Sequence, residues 1–149
     1  MKMKKLAALL CALMLCLVGM AASAENTTVQ EGDNDMQMMI GKIPVTVAWE
    51  DNTSVEALRA LAAEGLTIDM SMYGGFEQVG SIGQSLPRDD QQTTTASGDI
   101  VLYSGNQLVV FYGSNSWAYT RLGHITDQTP EQMKALLGNG DVTITLSMK

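Results

Sequence analysis

Side chains able to act chemically on a ligand are few in this sequence, and they stand apart from one another. Glu77 follows Gly74, Gly75 and Phe76. A carboxylate beside a glycine-rich turn can hold a ligand amine or hydroxyl, or it can hydrogen-bond nearby backbone. Arg88 precedes Asp89-Asp90 in a polar stretch that reads as a solvated loop tip. His124 is the sole histidine, which rules out a two-histidine metal site or a histidine relay and leaves one imidazole at a strand end, where it is most simply structural. No Ser-His-Asp order or P-loop is present, and the spacing in GGFEQVG is not that of a dinucleotide fingerprint. Aromatic residues, in contrast, are concentrated: Phe76, Tyr103, Phe111, Tyr112, Trp117 and Tyr119 are nearly all that follow residue 24. The sequence therefore nominates a binding face drawn from the 73–78 turn (Tyr73, Phe76, Glu77, Gln78), the 84–92 loop (Arg88) and the 112–117 turn (Tyr112, Asn115, Trp117). Aromatic area would grip the ligand there, and Glu77, Arg88 and Asn115 would orient it.

Methionine offers a rival chemistry. Seven methionines follow residue 24, and Met36/Met38 and Met70/Met72 are i, i+2 pairs that would place two thioethers on one strand face. Exported thioether clusters can hold Cu(I) or Ag(I), here with Trp49 nearby. Gap-filling in a core accounts for the same spacing, and no histidine supports the site, so no metal and no cofactor is expected.

Residues 1–24 read as an export signal. Lys2, Lys4 and Lys5 precede an unbroken apolar run from Leu6 to Met20, and Ala22-Ser23-Ala24 supplies the small-x-small cleavage pattern. The apolar run is short for a membrane span, which takes about 20 residues. Leu10 and Leu15 precede the two cysteines where a lipoprotein signal would have a small residue. Cleavage after Ala24 would give an exported protein, secreted or periplasmic, with an uncleaved N-terminal anchor as the alternative. Both cysteines would go with the leader, excluding disulfides, thiolate metal sites and a cysteine nucleophile from the mature chain. Six basic residues would then face sixteen acidic ones, a net charge of −10. Such a surface repels phosphate backbones and anionic bilayers, so neither nucleic acid nor, after cleavage, membrane is an expected partner. The expected partner is a small molecule or peptide; oligomeric state has no signature in the sequence.

Residues 25–35 (ENTTVQEGDND) hold one apolar side chain and read as a flexible acidic linker to a single domain over 36–149. Within it, 36–40 and 43–49 predict a hairpin joined at Gly41-Lys42, with Pro44 near a strand start. A helix follows, with Thr53 as N-cap, Glu56 completing a capping box, an apolar stripe of Val55, Leu58 and Leu61, and Gly65 as terminator. Alternation over 66–72 predicts a third strand, and a polar loop then leads to a hairpin of 100–103 and 108–112 turning at Ser104-Gly105-Asn106. A strand over 117–124, a second helix begun by Thr129-Pro130 with Gln132 and ended at Gly138, and a closing strand over 142–148 complete the order. Many strands and two helices predict a mainly β fold, a small closed barrel capped by helices.

Several segments resemble the cyclophilin-like domains: the order of elements over roughly 36–148, GDIVLY (98–103) with QLVVFY (107–112) as paired central strands, and the strand ending Leu122-Gly123-His124-Ile125 before the second helix. WEDN, YGGFEQVG, GDIVLY and FYG occur in the order found in small bacterial cyclophilin-like proteins. The resemblance implies a cyclophilin-like closed β-barrel capped by α-helices. Prolyl isomerases of that fold carry an arginine in a Phe-His-Arg segment on the strand after the first helix, and here that strand reads Asp69-Met70-Ser71-Met72-Tyr73. With no donor there to stabilise a twisted amide, the expectation is a non-catalytic small-molecule or peptide binding module. The alternative is a weak peptidyl-prolyl isomerase or another enzyme of the fold. Arg88 could serve an isomerase only from a long loop, a poor place to preorganise one donor.

Overall fold

The computed structural model describes residues 36–149; the expected leader (1–24) and linker (25–35) lie outside them. In chain order the elements are β1 (Met36–Ile40), β2 (Ile43–Val45), β3 (Val47–Trp49), α1 (Thr53–Ala62), β4 (Leu66–Asp69), β5 (Ser71–Tyr73), β6 (Glu77–Ser81), β7 (Gln91–Thr94), β8 (Asp99–Tyr103), β9 (Gln107–Phe111), β10 (Ser116–Ile125), α2 (Pro130–Leu137) and β11 (Thr143–Met148). The fold is mainly β with two helices, as expected, and its strands make two sheets. A four-stranded sheet runs β2-β1-β11-β4. A seven-stranded sheet runs β3-β10-β8-β9-β6-β5, with β7 paired to the free half of β10.

The two sheets are joined by strands that bend. Each of the alternating runs 43–49 and 66–72, expected as one strand, is two strands separated by a single residue. At Thr46 and at Met70 the chain leaves the small sheet and enters the large one, and the backbone bonds change partner there. Thr46 O accepts from Thr126 N (2.9 Å) and Met70 N donates to Val142 O (2.8 Å). The break at Met70 also separates the methionine pair: Met70 is core and Met72 is exposed. Met36 and Met38 are both buried in the main core beside Trp49, Leu58 and Leu146, surroundings that suit gap-filling.

Two strands were not expected. The segment read as a glycine-rich turn and loop contains β6, which lies between β5 and β9 with Val79 opposite Val109. Gly74 and Gly75, both at positive φ (65° and 74°), make the β5–β6 turn. Gly80 lets β6 lie against the Met70 corner, since a Cβ there would stand 2.5 Å from the Asp69 carbonyl oxygen. Strand β7 (QQTT) has no apolar alternation to betray it; it exists because β10 outruns β8 and offers Ser116 to Tyr119 for pairing.

Helix α1 is capped one residue earlier than expected and begins at Thr53. Asn52, not Thr53, accepts from Val55 N (2.9 Å), and its amide also donates to Arg121 O (2.9 Å), fixing the helix to β10. Its buried stripe includes Val55, Leu58 and Ala62. Helix α2 has the expected Thr129/Gln132 capping box with Pro130 at its start.

Candidate functional site

The large sheet has apolar layers on both faces. Even-numbered residues of β8 (Ile100, Leu102) and of β9 (Leu108, Val110) enter the main core, while Val101, Val109 and Phe111 face the other way and are buried with Tyr119 in a second cluster, flanked by Phe76, Val79 and Tyr103. This outer face holds a groove of about 400 Å³, within the range of small-ligand sites. It crosses the sheet from edge strand β5 to β10, contributed by Tyr73, by Glu77 and Val79 of β6, by Gln107 and Val109 of β9, by Tyr103 of β8, and by Trp117 and Tyr119 of β10, with Asn115 just before that strand.

Strand pairing explains the juxtaposition. Tyr73 stands opposite Glu77, Glu77 opposite Phe111, and Gln107 opposite Tyr103. Cross-strand neighbours on one face have Cβ atoms about 5 Å apart, so rows of side chains converge although the residues span nearly fifty positions. Tyr119 is held at its ring by edge-on contacts with Phe111 (5.7 Å between centroids) and Tyr103 (6.2 Å). Its hydroxyl accepts from Asn115 Nδ2 at 2.8 Å. Asn115 is in turn fixed through its backbone: its N–H donates to Thr95 Oγ1 (3.0 Å) and its carbonyl accepts from Thr95 N (2.9 Å) and Oγ1 (3.0 Å). The aromatic floor and its polar partner are thus preorganised.

Glu77 is the unusual member. It is only 7% exposed, and its Oε2 is buried without a hydrogen-bond partner. Burial pushes its carboxyl from about 4.5 up to about 7. Burial also raises the Tyr119 phenol, the bond from Asn115 opposes that rise, and the charges of Glu77 and Tyr103 add to it. Near neutral pH this carboxyl exists in both protonation states, and a ligand able to donate to it would relieve an unpaired buried oxygen.

Of the residues nominated from sequence, Tyr73, Glu77, Asn115 and Trp117 line the groove. Phe76 does not; it packs at the groove's end, edge-on to Tyr73 at 6.3 Å, beneath the outer cluster. Gln78 and Tyr112 are on the opposite face: Gln78 alternates with Glu77 and Val79 in β6, and Tyr112 directly follows Phe111 at the end of β9. Gln78 is fully buried and donates to Leu137 O (2.8 Å) and Gly140 O (2.7 Å), tying β6 to the end of α2. Tyr112 packs on the main core. Arg88 does not line the groove; it is paired with Asp90 at 3.2 Å and lies over Gly105 in the β8–β9 turn. Val79, Tyr103, Gln107, Val109 and Tyr119 were not nominated. Their signal was parity: on the 99–111 hairpin, odd positions form the second face. His124 Nδ1 is 2.8 Å from Asp99 Oδ1, whose other oxygen meets Arg121 (3.3 Å) and the Ala96 N–H (2.8 Å), a cluster that anchors the start of β8. Among the described residues, no group of three or more His, Cys, Asp or Glu side chains is arranged to hold a metal ion.

A family model described as the Cyclophilin-like family matches residues 38–147, most of the chain. The chain belongs to the cyclophilin-like family. No curated protein and no solved structure matches it. In this cyclophilin-like domain the strand expected to carry an isomerase arginine is divided at Met70, and its second half, β5, brings Tyr73 to the groove instead.

Proposed function

We propose that this chain is an exported cyclophilin-like domain that binds a small molecule or a peptide segment on the outer face of its large sheet, without catalysing prolyl isomerisation. The observation that carries this reading is the groove itself, about 400 Å³ with aromatic walls and one buried carboxyl lacking a partner. Pockets that recognise small ligands combine apolar area with a few placed polar groups in this way. Export rests on the basic start, apolar run and Ala22-Ser23-Ala24. The isomerase alternative is disfavoured because the groove lining includes no arginine, lysine or histidine that could stabilise a twisted amide.

An X-Pro peptide assay tests the catalytic half of the reading. The expected outcome is a rate equal to the uncatalysed one. Turnover that disappears on Arg88→Ala would mean that the 82–90 segment supplies the donor and that the reading is wrong.

A further inference from the structure

The groove has one ionisable carboxyl, Glu77, set among the rings of Tyr73, Tyr103, Trp117 and Tyr119. A buried carboxylate oxygen with no donor is unfavourable unless something bound there supplies one. A neutral hydroxyl or amide would do so, and so would a cation. The aromatic walls distinguish the two, because ring faces carry negative potential that attracts a cation and offers a neutral donor nothing comparable. No lysine, arginine or histidine lines the groove, so the positive charge has to come from the ligand. Residues 25–149 carry six basic against sixteen acidic side chains, a field that concentrates cations and depletes anions.

The geometry points to an organic ammonium ion as the ligand of this groove, its charged head against Glu77 between the aromatic rings and its apolar part along Val79 and Val109. This rests on the reading of the groove as a binding site and adds the chemical class of what it takes. Two sources share that chemistry, a free small amine and the side chain of a lysine in a peptide.

Three matched pairs of probes test it on ¹⁵N-labelled protein, followed by the Trp117 indole and Glu77 amide signals. The pairs are choline with 3,3-dimethylbutan-1-ol, butylammonium with butan-1-ol, and Nα-acetyl-lysine N-methylamide with its norleucine counterpart. At least one cation is expected to bind about tenfold or more tightly than its uncharged counterpart. Glu77→Gln should abolish that preference. The preference should also weaken from pH 8 to pH 5.5 as Glu77 takes up a proton; the other polar groups facing it are the phenols of Tyr73, Tyr103 and Tyr119 and the amides of Gln107 and Asn115. Tighter binding of the lysine derivative than of butylammonium assigns the peptide source, and the reverse assigns a free amine. Equal binding of charged and neutral probes, or a preference that survives Glu77→Gln, overturns the ammonium assignment and leaves the groove as a binding site. Silence of both signals with all six probes overturns the ammonium assignment; the binding reading would then stand or fall on whether the protein carries a bound mass that depends on Trp117.

Discussion

Burial of Glu77 gives its carboxyl a stronger hold on a proton in the folded chain than in the unfolded one, about 7 against 4.5. Stability linked to this group is fully present below pH 4.5 and is lost as pH rises towards 7. Glu77→Gln should therefore stabilise the domain above pH 7, by an amount on the order of 3 kcal/mol at most. The gain should vanish below pH 4.5, and thermal melts at pH 4, 6 and 8 check both ends of the trend. A difference between variant and parent that does not change with pH would show that the carboxyl is solvated. Tyr119→Phe addresses the neighbouring bond: without the phenol oxygen, Asn115 Nδ2 loses its acceptor, and a loss of about 1 kcal/mol is expected in denaturant titration. Sequence alone could nominate Glu77, because a carboxylate among glycines and aromatics is conspicuous. It could not show that the side chain is buried on a strand instead of solvated in a turn.

At the scale of elements, the sharp features are the two corners and the strand that crosses one of them. Gly80→Ala would drive a Cβ into the Asp69 carbonyl and the Met70 sulfur, so β6 must move or strain. A loss of about 1–3 kcal/mol is expected, with the shift seen first in the amide signals of 68–72 and 78–82. A fully tolerated substitution would mean that the corner is looser than its packing indicates. Both helices, the first hairpin and the 99–111 hairpin were legible, because capping residues, turn glycines and strict alternation are local signals. The corners at Thr46 and Met70 were not, since alternation is blind to a one-residue change of sheet. Strand β7 was hidden for a different reason: its four polar residues are strand only through pairing with β10. The groove inherited that blindness. Tyr73, Glu77, Asn115 and Trp117 were found as loop and turn residues, whereas Tyr103, Gln107 and Tyr119 needed the register.

At the scale of the whole molecule, the family places the chain among cyclophilin-like domains, and the groove lies on the large sheet's outer face rather than between its two sheets. Intact-mass measurement on protein from its own cells should give a chain beginning at Glu25; a full-length cytoplasmic species would contradict export. The central claim is that the outer face is where this domain meets its ligand, and native mass spectrometry of the protein gently purified from the cells that make it tests this most directly. A discrete bound mass is predicted for the parent chain. It should be lost in Trp117→Ala, where the altered side chain is exposed and the fold is spared, and kept in Tyr112→Phe, on the opposite face of the sheet. A bound mass that survives Trp117→Ala, or no bound mass in any of the three proteins, would contradict the account.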